Sequence, residues 1–151
     1  ALRLADAGKL QVSEKTAMPS AASVQLLCAS LSNGDYFPDV VPSKTEWING
    51  RLHEAVGPIK GFAWPLLLQT GKLVERHGKR LALTAAGRLA LADPVAALRT
   101  LWQRWKQADF DEFSRIEHIK GQSRRETGMT RAAPRRGPIA DGLAHCPVGA
   151  W

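Results

Sequence analysis

The spacing of apolar side chains changes period along the chain, and each change predicts an element. Leu2, Leu4 and Ala5 can end a helix, with Gly8 at its C-terminal side. Pro19 and Ser20 open a second helix, because proline suits a first turn and serine an N-cap. Its apolar positions Val24, Leu27, Cys28 and Leu31 recur at helical spacing until Asn33-Gly34 stops it. Cys28 lies on that stripe and reads as a small buried hydrophobe. Pro38 and Pro42 mark a loop from Asp35 to Ser43. Ser43 with Glu46 forms a capping box for a helix to Val56, with Ile48, Leu52 and Val56 on its buried face. Gly57-Pro58 breaks that helix. Pro65 fits the first turn of a short helix, and Gly71 fits its exit.

The period then drops to two. Lys72 to Arg76 and Lys79 to Leu83 are short strand candidates around His77-Gly78, with Leu81 and Leu83 on one face and Arg80 and Ala82 on the other. This hairpin is expected to be the principal β element. Thr84 can cap the next helix, and Asp93-Pro94 starts another. In the latter, Leu98, Leu101, Trp102 and Trp105 form an amphipathic stripe that is expected to be mainly buried, opposite Arg99, Gln103 and Lys106. Asp109 and Glu112 cap a further helix with Phe110, Phe113, Ile116 and Ile119 on its buried side, ending at Gly121. Residues 122–138 are basic and hold Met129 as their one large apolar side chain, so they read as a linker. A short helix, Ile139 to Ala144, follows. The expected organisation is an N-terminal helical segment (1–34), a central domain with C-terminal helices (43–121), a basic linker (122–138) and the start of a further module (139–151).

Charge adds to this picture through its distribution. The chain carries a net charge of +7. Residues 1–60 balance to zero, whereas 61–106 hold a net +6, on the strand-turn-strand pattern and its flanks. Such an excess attracts nucleic acid, an acidic membrane surface or an acidic protein. With 44% hydrophobic and 23% charged residues the composition is that of a globular domain, which excludes a wholly disordered chain. There is no apolar run long enough to span a membrane and no secretory signal pattern. Two cysteines are too few for a disulfide framework, so the expected location is reducing and cytoplasmic. Ala1 in place of Met, and Trp151 reached without a polar tail, suggest a fragment of a longer parent chain.

The order helix, short helix, strand, turn, strand from Ser43 to Thr84, and above all TGKLVERHGKRLALTAAGRLAL, resembles a winged helix-turn-helix domain over about Lys44 to Leu91. The resemblance implies a mainly α fold with a small antiparallel β-hairpin and flanking helices. It also implies double-stranded DNA as the partner. Arg76, His77, Lys79 and Arg80 would form the tip of the wing, with Lys72 at its base and Gln69 and Thr70 nearest the bases. Leu66, Leu67 and Leu68 look buried, so sequence-specific readout is expected to be weak. The stretches GKLQVSEKTAMPSAASVQLL, FAWPLL, LALTAAGR, FDEFSRIEHIKGQ and CPVGAW are also similar to the accessory winged-helix region of bacterial superfamily 2 helicase-like proteins.

No phosphate-binding loop accompanies that likeness, because the three Gly-Lys pairs are followed by Leu10, Leu73 and Arg80. His53, His77 and His118 are scattered, and His145-Cys146 lacks the further ligands of a zinc site. Hydrolase, metalloprotease and dinucleotide patterns are absent. No catalysis, cofactor or metal is therefore expected. Two readings stand: a DNA-binding winged-helix module, or a docking module of the same fold whose basic tip is merely solvated.

Overall fold

The computed structural model describes residues 1–36, 45–48, 51–54, 58–108, 132–147 and 149, with the backbone alone at 45–48, 51–54 and 132–135. Among them the chain is mainly helical, with two small antiparallel hairpins. The order is α1 (Leu2–Asp6), α2 (Ala21–Ser30), β1 (Thr45–Ile48), β2 (Arg51–Glu54), α3 (Lys60–Thr70), β3 (Val74–His77), β4 (Arg80–Leu83), α4 (Ala85–Ala92), α5 (Pro94–Gln107) and α6 (Ala132–Ala144). No helix among the described residues is long and apolar enough to cross a membrane.

Local chemistry explains the helix starts that the sequence announces. Ser20 accepts from the Ser23 amide at the head of α2. Thr84 accepts from the Gly87 amide at the head of α4, and Asp93 accepts from the Val95 and Ala96 amides at the head of α5. Each side-chain oxygen satisfies donors that a first helical turn otherwise leaves unpaired. Gly8, after α1, has φ +66°, the left-handed geometry that glycine adopts without strain.

Three expectations need correction here. The helix predicted from Ser43 to Val56 is replaced over its described residues by β1 and β2, with Trp47 opposite Leu52 and Ile48 opposite Arg51. Asn49-Gly50, the strongest short hairpin signal, separates those two strands in the sequence and outweighs the Ser43/Glu46 capping pair. The Leu73–Leu83 hairpin is therefore one of two. Pro65 does not open α3; the helix starts at Lys60 and Pro65 is buried inside it. Its true cap is remote. The Asp35 carboxylate accepts from the Ile59 amide at 2.8 Å and the Gly61 amide at 2.7 Å. The same carboxylate accepts from the Tyr36 amide, so it ties together both ends of the insertion that carries β1 and β2. Lys60 adds a bond from Nζ to the Gly34 carbonyl and lies over the Tyr36 ring.

The third correction concerns the basic linker. Ala132 onward is helical, and α6 runs through Pro138 and Ile139 where a boundary and a separate short helix were expected. Arg136 is buried and donates to the Trp105 carbonyl at the end of α5, where a cation suits the helix dipole. Residues 122–131 of the linker and the helix expected at Asp109 to Gly121 lie outside the described residues.

The core gathers where α1, α3 and α4 meet β3 and β4, around Leu10, Leu27, Leu68, Leu73, Leu81 and Leu83. Lys9 to Val12 runs antiparallel along the free edge of β4. The Leu81 amide donates to the Leu10 carbonyl at 3.0 Å, and the Val12 amide to the Lys79 carbonyl at 2.8 Å. Buried Ser23 locks this segment to α2, donating to the Gln11 carbonyl and accepting from the Gln11 amide. Its hydroxyl is thus satisfied in both roles.

The Leu-Thr-x-x-Gly pattern has a direct packing cause. A Cβ on Gly87 would overlap the Leu73 carbonyl oxygen and lie 2.9 Å from its carbon. Thr84 holds that carbonyl in place from both its amide and its hydroxyl. Gly71 is needed for a different reason: a Cβ there would sit 2.5 Å from Leu101 Cδ2. It caps α3 in right-handed geometry, and the left-handed residue of the exit is Lys72, with φ +54°. The Lys72 amide donates to the Gln69 carbonyl and the Leu73 amide to Leu68, the paired bonds of a Schellman motif with lysine where glycine is preferred.

Candidate nucleic-acid interface

The β3–β4 hairpin projects its charged end away from the core. Its register pairs Val74 with Leu83, Glu75 with Ala82, Arg76 with Leu81 and His77 with Arg80. Gly78 is the first of two loop residues and has φ +59°, as a tight two-residue hairpin loop with glycine at that position requires. Strand alternation puts Leu81 and Leu83 inward and buried, as the sequence pattern predicts, and Val74 of β3 is buried with them. Arg76 shares the face of Val74 but lies beyond the core and is exposed. His77, Lys79 and Arg80 are exposed as well.

The electrostatics of this tip are simple. His77 Nε2 meets Glu75 Oε1 at 3.1 Å, with both side chains well exposed, a pair of small energetic weight. Among the described residues no carboxylate pairs with Arg76, Lys79 or Arg80. Three permanent cations therefore stand free at one turn. Lys72 is exposed at the base of β3.

The structure adds two residues that the sequence reading missed. The bridge from Gln11 to Arg80 brings Lys9 and Gln11, both exposed, onto the outer face of the hairpin. Lys9-Leu10-Gln11-Val12 alternates polar and apolar, so a period-two signal was present. A cleft of about 490 Å³ opens beside the tip, with Gln11, Ser13, Lys15, Ser20 and Lys79 in its walls. Its lining is mixed, with Val12, Met18 and Pro19 among the polar side chains, and Glu14 beside the two lysines.

Gln69 and Thr70 are placed differently. Gln69 Nε2 donates to the Ala17 and Pro65 carbonyls, each at 3.1 Å, which fastens the 13–18 turn onto α3. Its amide nitrogen is occupied in holding the fold. Thr70 is half-buried, and no residue of α3 is exposed. The tip residues are thus brought together at a free surface, whereas the two base-facing candidates are not presented with them.

The stripe on α5 also departs from expectation. Ala97 is its buried residue; Leu98 is 59% exposed, and Leu101, Trp102 and Trp105 are half-buried. Trp102 and Trp105 stack on each other with centroids 5.3 Å apart. The stripe faces Trp64 and Leu67 of α3, and Ile139 and Leu143 of α6, across an apolar groove of about 400 Å³.

Neither cysteine is in a disulfide, and Cys28 Sγ lies 3.7 Å from Asp35 Oδ2. Burial, then the Asp35 charge, pushes the Cys28 thiol above its ordinary value. Among the described residues no cluster of three or more His, Cys, Asp or Glu could hold a metal ion. Comparison of the chain with protein-family models, with curated proteins and with solved structures finds no match.

Proposed function

We propose that this chain is a non-catalytic DNA-binding module of the winged-helix type, acting within a longer helicase-like or regulatory protein. The observation that carries the proposal is the cluster of free cations at the β3–β4 tip, Arg76, Lys79 and Arg80, exposed beside His77. The element order supports it. A short helix, an edge segment at Lys9 to Val12, two further helices and then the hairpin follow the winged-helix order, with α3 in the position of the recognition helix. In this reading β1 and β2 are an insertion before that helix, pinned at its base by Asp35.

The module holds the phosphate backbone and does not read bases strongly. Backbone contact needs only cations at the right spacing, whereas base readout needs side-chain donors and acceptors free to enter a groove. α3 offers few of these, because Gln69 is committed to Ala17 and no α3 side chain is exposed. Affinity therefore comes from Lys72, Arg76, Lys79 and Arg80, with Lys9 as an addition from the edge segment. Fluorescence anisotropy with several labelled duplexes of unrelated sequence tests this. Affinities within a few-fold of one another, all weakened by Lys79→Ala with Arg80→Ala, support the reading. Binding that the double substitution leaves untouched refutes it.

The covered state of α3 also favours a second reading, a winged-helix docking module that binds no DNA. Absence of any duplex binding at low salt would select it.

A further inference from the structure

The Lys9–Val12 segment does more than cover the edge of β4. It runs antiparallel to that strand, so it leaves the sheet at the end where the Gly78-Lys79 loop lies. The chain then turns through residues 13–18 and comes back, with Val12 bridging Pro19. Two turns therefore project from the same end of the sheet, and the cleft of about 490 Å³ has residues of both in its walls. The second turn is firmly held. The Ser13 amide donates to the Met18 carbonyl at 2.8 Å, and the Ala17 amide to the Ser13 carbonyl at 2.9 Å. Ser13 Oγ accepts from the Lys15 and Thr16 amides, each at 3.3 Å. Gln69 fastens the carbonyl of Ala17, whose φ is +57°. Lys15 is thus carried on a fixed turn beside Lys79.

We infer that this cleft seats one phosphodiester of a bound duplex between Lys15 and Lys79, an assignment that rests on the reading of the β3–β4 tip as a DNA contact. Both lysines line the cleft, both are exposed, and neither pairs with a described carboxylate. Neutral donors stand with them. Ser13 Oγ spends its lone pairs on two backbone amides, so its proton is left to donate outward. Gln11, exposed in the cleft wall, adds the donors of its side-chain amide. The charge selects the kind of phosphate. Glu14 shares the cleft with the two lysines, which leaves a single net positive charge. A phosphodiester of the DNA backbone carries a single negative charge and matches it. A phosphate monoester or free phosphate, close to a dianion at pH 7, meets the Glu14 carboxylate with its second charge uncompensated.

The test is a double-mutant cycle read by anisotropy of a labelled duplex with the whole chain. Lys15→Ala keeps the turn, because the bond to Ser13 comes from the Lys15 amide. It should weaken duplex binding by about fivefold in the parent chain but by about twofold or less beside Lys79→Ala, since one phosphate needs both sides of its seat. Lys106→Ala, an equal loss of charge at an exposed position on α5, should change affinity by less than about twofold. Glu14→Gln should tighten the duplex by about twofold or more. Duplex binding that depends on Lys79 and Arg80 but not on Lys15 would overturn this inference and leave the wing reading standing. Equal losses from Lys15→Ala and Lys106→Ala, or full additivity of Lys15→Ala with Lys79→Ala, would do the same. A parent chain that binds no duplex overturns both. Saturable calorimetric binding of inorganic phosphate, lost in Lys15→Ala, would give the cleft to a free phosphate and overturn its assignment to DNA.

Discussion

Replacing Gly87 by alanine is the sharpest test of how the hairpin is seated on the helices. In an open helix the change would stabilise the fold by about 1 kcal/mol, because alanine has the higher helix propensity. Here the new methyl meets backbone. It overlaps the Leu73 carbonyl oxygen, lies 2.9 Å from that carbonyl carbon and 3.2 Å from Leu83 Cδ2. The carbonyl cannot retreat without loosening the Thr84 amide bond at 3.1 Å and the Thr84 hydroxyl bond at 3.2 Å. Two weakened hydrogen bonds amount to about 2 kcal/mol. Forcing helix and strand apart adds about 1–3 kcal/mol. After the propensity gain the expected net loss is about 2–4 kcal/mol, a large share of a typical stability of about 5–15 kcal/mol. Gly71→Ala is the matched control, because its obstruction is the tip of the half-buried Leu101 side chain, which can rotate away. Its expected cost is about 1 kcal/mol. Urea unfolding followed by far-ultraviolet circular dichroism measures both. A Gly87→Ala protein as stable as the parent, or one less damaged than Gly71→Ala, would refute the packing argument.

Three further outcomes follow from local geometry. Lys72→Gly relieves a left-handed lysine at the exit of α3 and should raise stability by up to about 1 kcal/mol in the same unfolding assay; a loss would show that the Lys72 side chain contributes to the fold. Asp35→Ala removes the acceptor for the Tyr36, Ile59 and Gly61 amides and should cost about 2–3 kcal/mol, with faster amide exchange at the start of α3. Cys146, which is exposed, should react with a thiol reagent well before Cys28, whose thiol is half-buried and raised by burial and by Asp35. Because the folded thiol is raised above 9.0, its contribution to stability is complete below that pH and is lost as pH rises toward the folded value.

What the sequence reveals depends on whether the interaction is local. Ser20, Thr84 and Asp93 cap helices within three residues of themselves, and all three were legible. So was the inward face of β4, where Leu81 and Leu83 alternate with Arg80 and Ala82, but not the register, because the two-residue loop falls at Gly78-Lys79 and not at His77-Gly78. The start of α3 was not legible, since its cap is Asp35, 24 residues before the Ile59 amide. The edge segment at Lys9 to Val12 becomes a strand only through its bonds to β4. The basic tip was readable as a cluster of charge. The retirement of Gln69 was not, because its partner Ala17 is 52 residues away. The α5 stripe was visible as amphipathic, yet amphipathicity does not reveal whether the apolar side is covered. Leu98 is exposed despite a spacing that suits a core.

The central claim, that the hairpin tip holds DNA by its phosphates, is tested most directly by the salt dependence of duplex binding. Counterion release gives a slope of log affinity against log salt of about −0.9 for each phosphate neutralised. With Lys72, Arg76, Lys79 and Arg80 all in contact, raising salt from about 50 to 200 mM should weaken binding by roughly 150-fold. Removing Lys79 and Arg80 together should shallow the slope by nearly two units and reduce that loss to roughly 12-fold, about equally for every duplex sequence. An unchanged slope in the double variant, or affinity insensitive to salt in the parent chain, would contradict the account.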